Sequence, residues 1–389
     1  MSNKVYDFNK VIDRTGTDSL KWEKAKGMLP MWVADMDIES FPDIQDAIRK
    51  RAEHGIYGYT VLSDAWFKGY IYWWKSRHNF EIEREWLWFV SGVIPAMGSV
   101  LRRLSSEGDN VLIQTPVYPA FFSTIKRNKR NVIENRLIYH EDSSSYSIDW
   151  DDLEEKLQDP KTSLMILCNP QNPSGNIWDR ETLIRIGEMC HKNGVKVLSD
   201  EIHCDTVAPG KDYIPFASVS DINKNISVTL ISPTKTFNIA GIQTAAVITP
   251  NPGLRKVVVD AQISDGAEEG NCFAMEVVKA AYTEEGGRWV DQLREHIWKN
   301  RSYAEKFIRE NIPELKVIPS NATYLMWVDC SNVTGSSYEF VKQLEEKVGL
   351  MVNPGKDFGG NGDTFVRINL ACPETYLKDG LNRLKEGVR

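Results

Sequence analysis

The sequence predicts an α/β protein, with a large domain built on a mostly parallel β-sheet between helices and a smaller α+β domain. In the middle of the chain, short apolar runs alternate with amphipathic helical patterns, and near the C terminus a long helix and short strands replace this alternation. The length of 389 residues also exceeds what one small core usually contains. We therefore expect a large domain over residues 46–286 and a small domain formed by residues 1–45 and 287–389.

Five apolar runs of strand length lie in the middle of the chain. They are Asn110–Ile113, Leu164–Cys168, Val195–Ser199, Val228–Ile231 and Ala245–Ile248. Residues 179–193 have apolar positions at helical spacing and precede Gly194, which predicts a helix that ends there. Residues 94–104 also follow a helical pattern, which Ser91-Gly92-Val93 opens. Strands that alternate with helices in this way predict a sheet with helices on both faces.

The C-terminal part has a different order of elements. A long helical pattern covers residues 287–311, and short strands are expected at 324–329 and 365–369. Two further helices are expected at 337–347 and 374–385. This order predicts the smaller α+β domain. The first 45 or so residues have no regular pattern and could pack against either part.

Composition and charge narrow the class of function. The apolar fraction of 42% and the charged fraction of 26% are those of an ordinary globular protein. A net charge of −7 argues against general binding to nucleic acid or to anionic membranes. The six cysteines form no C-x-x-C pair, the N terminus has no apolar signal core, and no apolar run has membrane-spanning length. We therefore expect a reduced, cytoplasmic protein.

An unusual density of tryptophan marks residues 66–88, which hold five of the 12 tryptophans. Stacking on nucleic acid bases is one interpretation. The negative charge and the helical spacing favour packing in the core or at a subunit contact instead.

Residues that follow the apolar runs are candidate site residues, because ligands of parallel α/β sheets bind beyond the carboxyl ends of the strands. The second run ends in Asn169-Pro170-Gln171-Asn172-Pro173-Ser174-Gly175. This stiff turn either only leads into the next helix or holds the amide of Asn172 over the ligand crevice. Lys235 follows the fourth run in a loop rich in serine and threonine, and is either a solvated surface lysine or a reactive amine.

The segment Ser199–Asp205, after the third run, allows three interpretations. Its polar side chains could form a metal cluster, although neighbours on a strand point to opposite faces and only alternate members converge. Asp200 could instead cap a helix, or it could be a buried carboxylate aimed at a cationic group. The turn at Ser91-Gly92-Val93 offers backbone N–H groups to a phosphate. An amine, a carboxylate, a fixed amide and a phosphate cradle on one side of one sheet match the requirements of pyridoxal 5′-phosphate (PLP).

Several of these segments resemble a known family. Asn169–Gly175, Ser199–Asp200 and Ser232–Lys235 are similar to the signature segments of the fold-type-I PLP enzymes, the class I/II aminotransferase superfamily. More narrowly, Pro30–Asp37, Gly58–Thr60, Ser199–His203 and Lys235–Gly241 resemble the MalY/PatB-type cystathionine β-lyases, or C–S lyases, and the resemblance covers nearly the whole chain. Gln243 stands where many aminotransferases carry a phosphate-binding arginine, and His203 where some carry a tyrosine; both departures favour the C–S lyase group.

The resemblance implies a role for each matching residue. Lys235 would carry the cofactor as a Schiff base and then act as general base, Asp200 would pair with the pyridine nitrogen, and Tyr118 would stack on the ring, unless it is an ordinary core aromatic. The other cofactor contacts would come from Asn172, Ser232, Val93, Ile94, His203 and the neighbouring subunit's copy of Tyr59. Substrate contacts would come from Arg367, Asn172, Tyr118 and Ala34, with Arg367 holding the substrate carboxylate through two parallel hydrogen bonds.

The resemblance implies a PLP-dependent carbon–sulfur β-lyase that acts on L-cystathionine, cysteine and related S-substituted cysteines. It would release a thiol (homocysteine from cystathionine), pyruvate and ammonia. Two alternatives stay open, an aminotransferase of an aromatic or related amino acid and a PLP-binding regulatory protein. Because Tyr59 would act across subunits, we expect a homodimer. We expect no metal, nucleic acid or membrane among the partners.

Overall fold

The structure is a computed structural model that describes residues 4–267 and 269–389. Its α-helices are α1 (Leu20–Ala25), α2 (Pro42–Glu53), α3 (Asp64–His78), α4 (Val93–Leu104), α5 (Pro119–Arg127), α6 (Trp150–Gln158), α7 (Arg180–Lys192), α8 (Asp221–Ile226), α9 (Pro252–Ser264), α10 (Cys272–Ala281), α11 (Glu284–Asn311), α12 (Ser337–Val348) and α13 (Glu374–Val388). Its β-strands are β1 (Leu29–Pro30), β2 (Leu87–Val90), β3 (Asn110–Thr115), β4 (Asn131–Arg136), β5 (Ile138–His140), β6 (Ser145–Ser147), β7 (Thr162–Cys168), β8 (Lys196–Asp200), β9 (Ser227–Ile231), β10 (Ala245–Ile248), β11 (Lys316–Val317), β12 (Leu325–Asp329), β13 (Leu350–Met351), β14 (Asn353–Pro354) and β15 (Phe365–Asn369).

The central sheet has seven strands in the order β2-β10-β9-β8-β7-β3-β4. Strands β9, β8, β7, β3 and β4 are parallel, whereas β10 is antiparallel to both of its neighbours. All residues of β3, β9 and β10 are buried, as expected for a sheet covered on both faces. One apolar cluster contains residues of α4, α5 and α9, and a second contains residues of α6 and α7. The predicted α/β class with a mostly parallel sheet is confirmed.

A four-stranded antiparallel sheet, in the order β11-β12-β15-β14, follows the long helix α11. Its apolar face packs with residues of α11, α12 and α13 in a cluster of its own. The short strand β1 pairs in parallel with β13, so the start of the chain joins the C-terminal part. The long helix and the strands β12 and β15 lie where the sequence pattern predicts them.

An irregular segment, residues 32–38, lies between the two sheets; we call it the N-terminal strap. A backbone outside helices and sheets needs other partners for its polar groups, and side chains supply them here. On β15, Arg367 donates to the carbonyl of residue 32, and Asn369 donates to those of residues 33 and 35. On the loop after β9, Asn238 donates to the carbonyls of residues 36 and 38. The strap is thereby fixed both to the four-stranded sheet and to the loop after β9.

The tryptophan-rich stretch forms α3, whose residues Trp66, Tyr70, Trp73 and Trp74 are fully buried. The ring of Trp73 stacks on Tyr282 at a centroid distance of 4.8 Å. These aromatic side chains pack in the core that joins α3 to α10 and α11, rather than lying open for stacking on bases. Within residues 4–267 and 269–389, no helix has the length and apolarity that a membrane crossing requires.

Candidate active site

A cavity of ≈ 330 Å³ lies beyond the carboxyl ends of β7, β8 and β9. Its volume falls within the range of small-molecule sites. It brings together Asn172, Asp200 and Lys235, each of which lies at or just after the end of a different strand. The other lining residues are Ala34, Ser91, Gly92, Val93, Ile94, Pro95, Tyr118, Cys168, Ile202, His203, Thr234, Ala240, Gln243 and Thr244.

Lys235 projects from the tight loop after β9, in which the N–H of Phe237 donates to the carbonyl of Pro233 at 2.9 Å. Its Nζ donates to the carbonyl of Ala34, on the N-terminal strap, at 2.6 Å. Burial, reinforced by the charge of Arg367, lowers the pKa of Lys235 to about 8, against the opposing effect of Asp35 and Asp200. The interpretation as a solvated surface lysine is therefore not supported.

Asp200 ends β8 and is 4% exposed. Its Oδ1 accepts from the N–H of Ile202 at 3.1 Å, within a turn. Burial raises the pKa of Asp200 to about 7, although the N–H of Ile202 and the charge of Lys235 oppose this effect. A buried carboxylate of this kind stays ionised when a cation is placed beside it. Asp200 is therefore suited to a ligand that carries a protonated nitrogen.

His203 lies on the same cavity wall, with its Nδ1 buried and without a hydrogen-bond partner in the described part of the chain. Burial, together with the charges of Lys235 and Arg367, lowers the pKa of His203 to about 3, so the ring is neutral at physiological pH. A buried polar atom without a partner has a cost in free energy that a bound ligand can remove.

Arg367 lies on β15 and reaches the cavity through Asn172. Its Nη1 donates to Oδ1 of Asn172, and its Nη2 donates to Oδ1 of Asn353 at 2.7 Å and to the carbonyl of Trp32 at 3.1 Å. These acceptors are all uncharged, and Nε has no partner among the described residues. Burial lowers the pKa of Arg367 to about 10, while Tyr118 and Tyr324 oppose the shift. A guanidinium in this position favours a carboxylate ligand.

The turn after β7 holds Asn172 in place. The N–H of Gln171 donates to the carbonyl of Asn176, and the N–H of Gly175 donates to the carbonyl of Gln171, both at 2.9 Å. Gly175 has a φ of +71°, and a Cβ at this position would lie 1.8 Å from Oγ of Ser320. Only glycine fits here. The turn therefore holds Asn172 over the ligand crevice in addition to connecting β7 to α7.

The first turn of α4 forms another wall of the cavity, with Gly92 as the residue before the helix. The N–H groups of Val93 and Ile94 belong to the first turn of the helix, which leaves them free to bind an anion. Thr234 also lines the cavity. Ser232 does not: its Oγ lies 2.7 Å from both the carbonyl of Thr244 and Oγ1 of Thr234. The direct role of Ser232 in phosphate binding stays a prediction.

Tyr118 lines the cavity at the start of α5, is 37% exposed, and meets Phe121 edge-on. This placement is not that of a core aromatic. Tyr59, in contrast, is 97% exposed and does not line the cavity of its own protomer. The described residues of one protomer therefore gather the predicted site residues except Tyr59, with Ser232 and Arg367 one contact behind the wall.

The polar residues around Asp200 serve separate purposes. Glu201 accepts hydrogen bonds from Ser199 Oγ, the N–H of Phe216 and the hydroxyl of Tyr213. The ligand atoms of His78, Cys204 and Asp205 lie within 4.8 Å of one another. The Asp205 carboxylate, however, accepts from Trp73 Nε1, His78 Nε2 and Thr236 Oγ1, and these donors occupy the oxygens that a metal would need.

Sequence reasoning missed Tyr324, whose hydroxyl donates to the carbonyl of Ala34 at 3.0 Å. This is the carbonyl that also accepts from Lys235. The position of Tyr324 directly before the buried strand β12 carries no signal for such a contact. Thr234, Gln243 and Thr244 had a signal, since they flank β9 and β10 at the edge where the site forms.

Comparison with known proteins identifies the family. The aminotransferase class I and II family model matches residues 34–384. The chain belongs to this family. Within the family, it is 39% identical over 386 residues to cystathionine beta-lyase PatB of Bacillus subtilis (strain 168), with 97% of this chain and 99% of that protein covered.

Two solved structures are also similar to this chain. Cystalysin from Treponema denticola, which contains a pyridoxal 5′-phosphate cofactor, has a TM-score of 0.95 and 30% identity, with 99% of both chains covered. The PLP-bound C-S lyase from Staphylococcus hominis has a TM-score of 0.91 and 30% identity, with 98% of this chain and 99% of that chain covered. The similarity extends over the strap, the central sheet and the small sheet.

Proposed function

We propose that the protein is a PLP-dependent carbon–sulfur β-lyase that acts on L-cystathionine, cysteine and related S-substituted cysteines. One observation carries the proposal: the amine of Lys235 and the buried carboxylate of Asp200 line the same cavity. The names of PatB and of the Staphylococcus hominis C-S lyase support the choice of reaction. The products would be a thiol (homocysteine from cystathionine), pyruvate and ammonia.

The residues present fit the cofactor. The Nδ1 of His203, which has no partner among residues 4–267 and 269–389, and the raised pKa of Asp200 both indicate a wall built for a polar, cationic ring. Asp200 would hold the protonated pyridine nitrogen, and Tyr118 would cover the ring face. Because Oδ1 of Asn172 accepts from Arg367, the Nδ2 group of Asn172 is the part that would donate to the ring oxygen. The first turn of α4 would hold the phosphate.

PLP, when bound, supplies an electron sink for the pair released at the substrate's Cα. The chain's own residues supply the remaining requirements. Lys235 would bond to the cofactor, give way to the substrate amine and then remove the Cα proton as the free amine. Its lowered pKa favours the neutral, basic form near pH 8. Arg367 would hold the substrate carboxylate, and either Lys235 or Tyr118 would protonate the leaving thiolate.

An assay without any keto-acid acceptor tests the reaction class. A lyase releases pyruvate and thiol from cystathionine under these conditions, whereas an aminotransferase requires an acceptor to turn over. We expect stoichiometric pyruvate and thiol, and an absorption band of the bound cofactor that borohydride abolishes. The Lys235→Ala variant should lose the borohydride-trapped adduct and thiol release together. Turnover of that variant at the wild-type rate would contradict the proposal, and strict dependence on a keto acid would favour the aminotransferase alternative.

We also propose a homodimer in which Tyr59 contacts the cofactor phosphate of the neighbouring subunit. The segment around Tyr59 carries exposed apolar side chains, with Ile56 69% and Val61 81% exposed. Such a dense exposed group is typical of an interface rather than of free surface. Sedimentation of the loaded enzyme tests the dimer.

We also propose that residues 46–286 form the large domain and that residues 1–45 and 287–389 form the small one. The separate sheets and the β1–β13 pair support this division.

A further inference from the structure

The carbonyl of Ala34 accepts two hydrogen bonds from side chains that belong to different parts of the fold. Nζ of Lys235 donates to it at 2.6 Å, and the hydroxyl of Tyr324 donates at 3.0 Å. A backbone carbonyl has two lone pairs, so both donors fit at once. Ala34 is buried and lines the cavity, whereas the Tyr324 side chain is fully buried behind the wall.

From this geometry, and resting on the proposed function, we infer that the Ala34 carbonyl is the docking acceptor for the freed amine of Lys235, and that Tyr324 is the positioning residue that keeps this carbonyl in place. A lysine nitrogen bonded to the cofactor through a C=N bond would carry at most one N–H, whereas the free neutral amine carries two and can give one to Ala34. A free neutral amine that donates one N–H to Ala34 has its lone pair held in one direction, as a general base requires.

Tyr324 is well suited to hold the carbonyl because its own backbone is fixed on both sides. Nη2 of the buried Arg301 donates to the carbonyls of Thr323 and Leu325, at 3.3 and 2.9 Å. The carbonyl of Tyr324 itself accepts from the N–H of Leu370 at 2.8 Å. When Lys235 leaves for the cofactor, the hydroxyl of Tyr324 still satisfies the buried carbonyl of Ala34, which therefore stays oriented for the returning amine.

The Tyr324→Phe variant removes the hydroxyl and keeps the ring. The matched control is Tyr146→Phe, because the buried hydroxyl of Tyr146 donates to Asn361 and accepts from Trp327 but has no bond to Ala34 or Lys235. We expect Tyr324→Phe to lower kcat by about 3- to 10-fold, the factor that one positioning hydrogen bond corresponds to, with KM within about twofold of wild type. The control should keep kcat and KM while losing a similar amount of thermal stability.

A second readout uses the cofactor-free protein. The rate at which it captures PLP, followed by absorbance, rises with pH as Lys235 loses its proton. A fixed Ala34 carbonyl stabilises the ammonium form, so Tyr324→Phe should shift this rise to lower pH, whereas Tyr146→Phe should not. A Tyr324→Phe profile that coincides with that of wild type would overturn the inference, as would equal losses of kcat in both variants.

A double-mutant cycle on the cofactor-free protein gives an independent test by urea unfolding. Lys235→Met and Tyr324→Phe each leave Ala34 with one donor, and together they leave a buried carbonyl with none. Lys235→Met alone should raise stability near neutral pH, because it removes a buried charge, so the comparison is with the sum of the two single effects. We expect the double variant to be less stable than that sum predicts, and additivity of the two effects would count against the shared acceptor. If wild-type protein itself fails to capture PLP, the proposed function fails; if only the Tyr324 results match wild type, the inference fails and the proposed function stands.

Discussion

Arg367 and Asn172 are joined by a hydrogen bond of 2.8 Å from Nη1 to Oδ1, although Arg367 lies on β15 of the four-stranded sheet and Asn172 on the turn after β7 of the central sheet. The bond links the group proposed to hold the substrate carboxylate to the amide proposed to hold the cofactor ring oxygen. The amide oxygen is therefore engaged, and Nδ2 is the end of Asn172 that would donate to a ligand acceptor. Two substitutions separate these tasks.

Replacement of Arg367 by lysine removes the planar fork and keeps a positive charge. We expect kcat/KM for cystathionine to fall by about 10- to 100-fold, because charged hydrogen bonds contribute about 1.5–3 kcal/mol. PLP affinity, measured by titration of the cofactor-free protein, should change little. Equal losses of PLP affinity and kcat/KM would mean that Arg367 supports the cofactor site rather than the substrate.

Replacement of Asn172 by alanine should lower both PLP affinity and kcat/KM, since both partners of the amide lose a hydrogen bond. Asn353 serves as the comparison, because it accepts from the same guanidinium through Nη2 but does not line the cavity. Asn353→Ala should lower kcat/KM alone. Unchanged PLP affinity in Asn172→Ala would contradict the role proposed for Nδ2.

The stability of the cofactor-free protein should depend on pH through Lys235. Its pKa is about 8 in the folded protein and 10.5 in the unfolded chain, so between these values the unfolded chain binds more protons and wild-type stability rises with pH. Lys235→Met lacks this dependence and should exceed wild type by about 3 kcal/mol below pH 8, a difference that should shrink toward pH 10.5. Urea unfolding across this range measures it. The exposed Lys256 gives the control: Lys256→Met should follow the wild-type curve.

The loop that carries Lys235 is also held from behind. Oγ1 of the buried Thr236 donates to Oδ2 of Asp205 at 2.9 Å, and this carboxylate also accepts from Trp73 and His78. Thr236→Val keeps the shape but removes the donor, and we expect a loss of about 1–3 kcal/mol in urea unfolding together with slower turnover. Thr236→Ser restores the hydroxyl and should recover most of both. Failure of serine to recover them would assign the effect to packing of the methyl group.

A charged side chain introduced into the exposed apolar segment around Tyr59 should prevent dimer formation. Ile56→Asp should shift the sedimenting species from dimer to monomer and weaken PLP binding, because the neighbouring Tyr59 would be lost from the site. Val5 gives the control, since it is 84% exposed but lies outside the segment. Val5→Asp should remain dimeric. An Ile56→Asp protein that stays a dimer with full PLP affinity would indicate that the interface lies elsewhere.

Local pattern was enough to predict five of the seven strands of the central sheet and the residues that follow them, but not the two edge strands β2 and β4. Lys235, Asp200 and Asn172 were found because the ends of parallel strands meet at one edge, which is a property of the fold. The irregular strap could not be found in this way, since its carbonyls are satisfied by Asn369 and Asn238, some 200 to 340 residues away. The contact of Tyr324 was not predicted for the same reason: periodicity indicates which residues are buried, but not which distant atom a buried hydroxyl contacts.

The N-terminal strap has an irregular backbone, yet the site depends on it. A single proteolytic cut between β1 and α2 would leave every strand of both sheets intact, yet it would release the acceptor of the lysine amine and three carbonyl contacts of β15 in one event. Protein cut at this position should therefore keep most of its secondary structure while it loses the absorbance of the bound cofactor. For the same reason, loading with PLP should protect residues 32–38 from proteolysis far more than their irregular backbone would suggest.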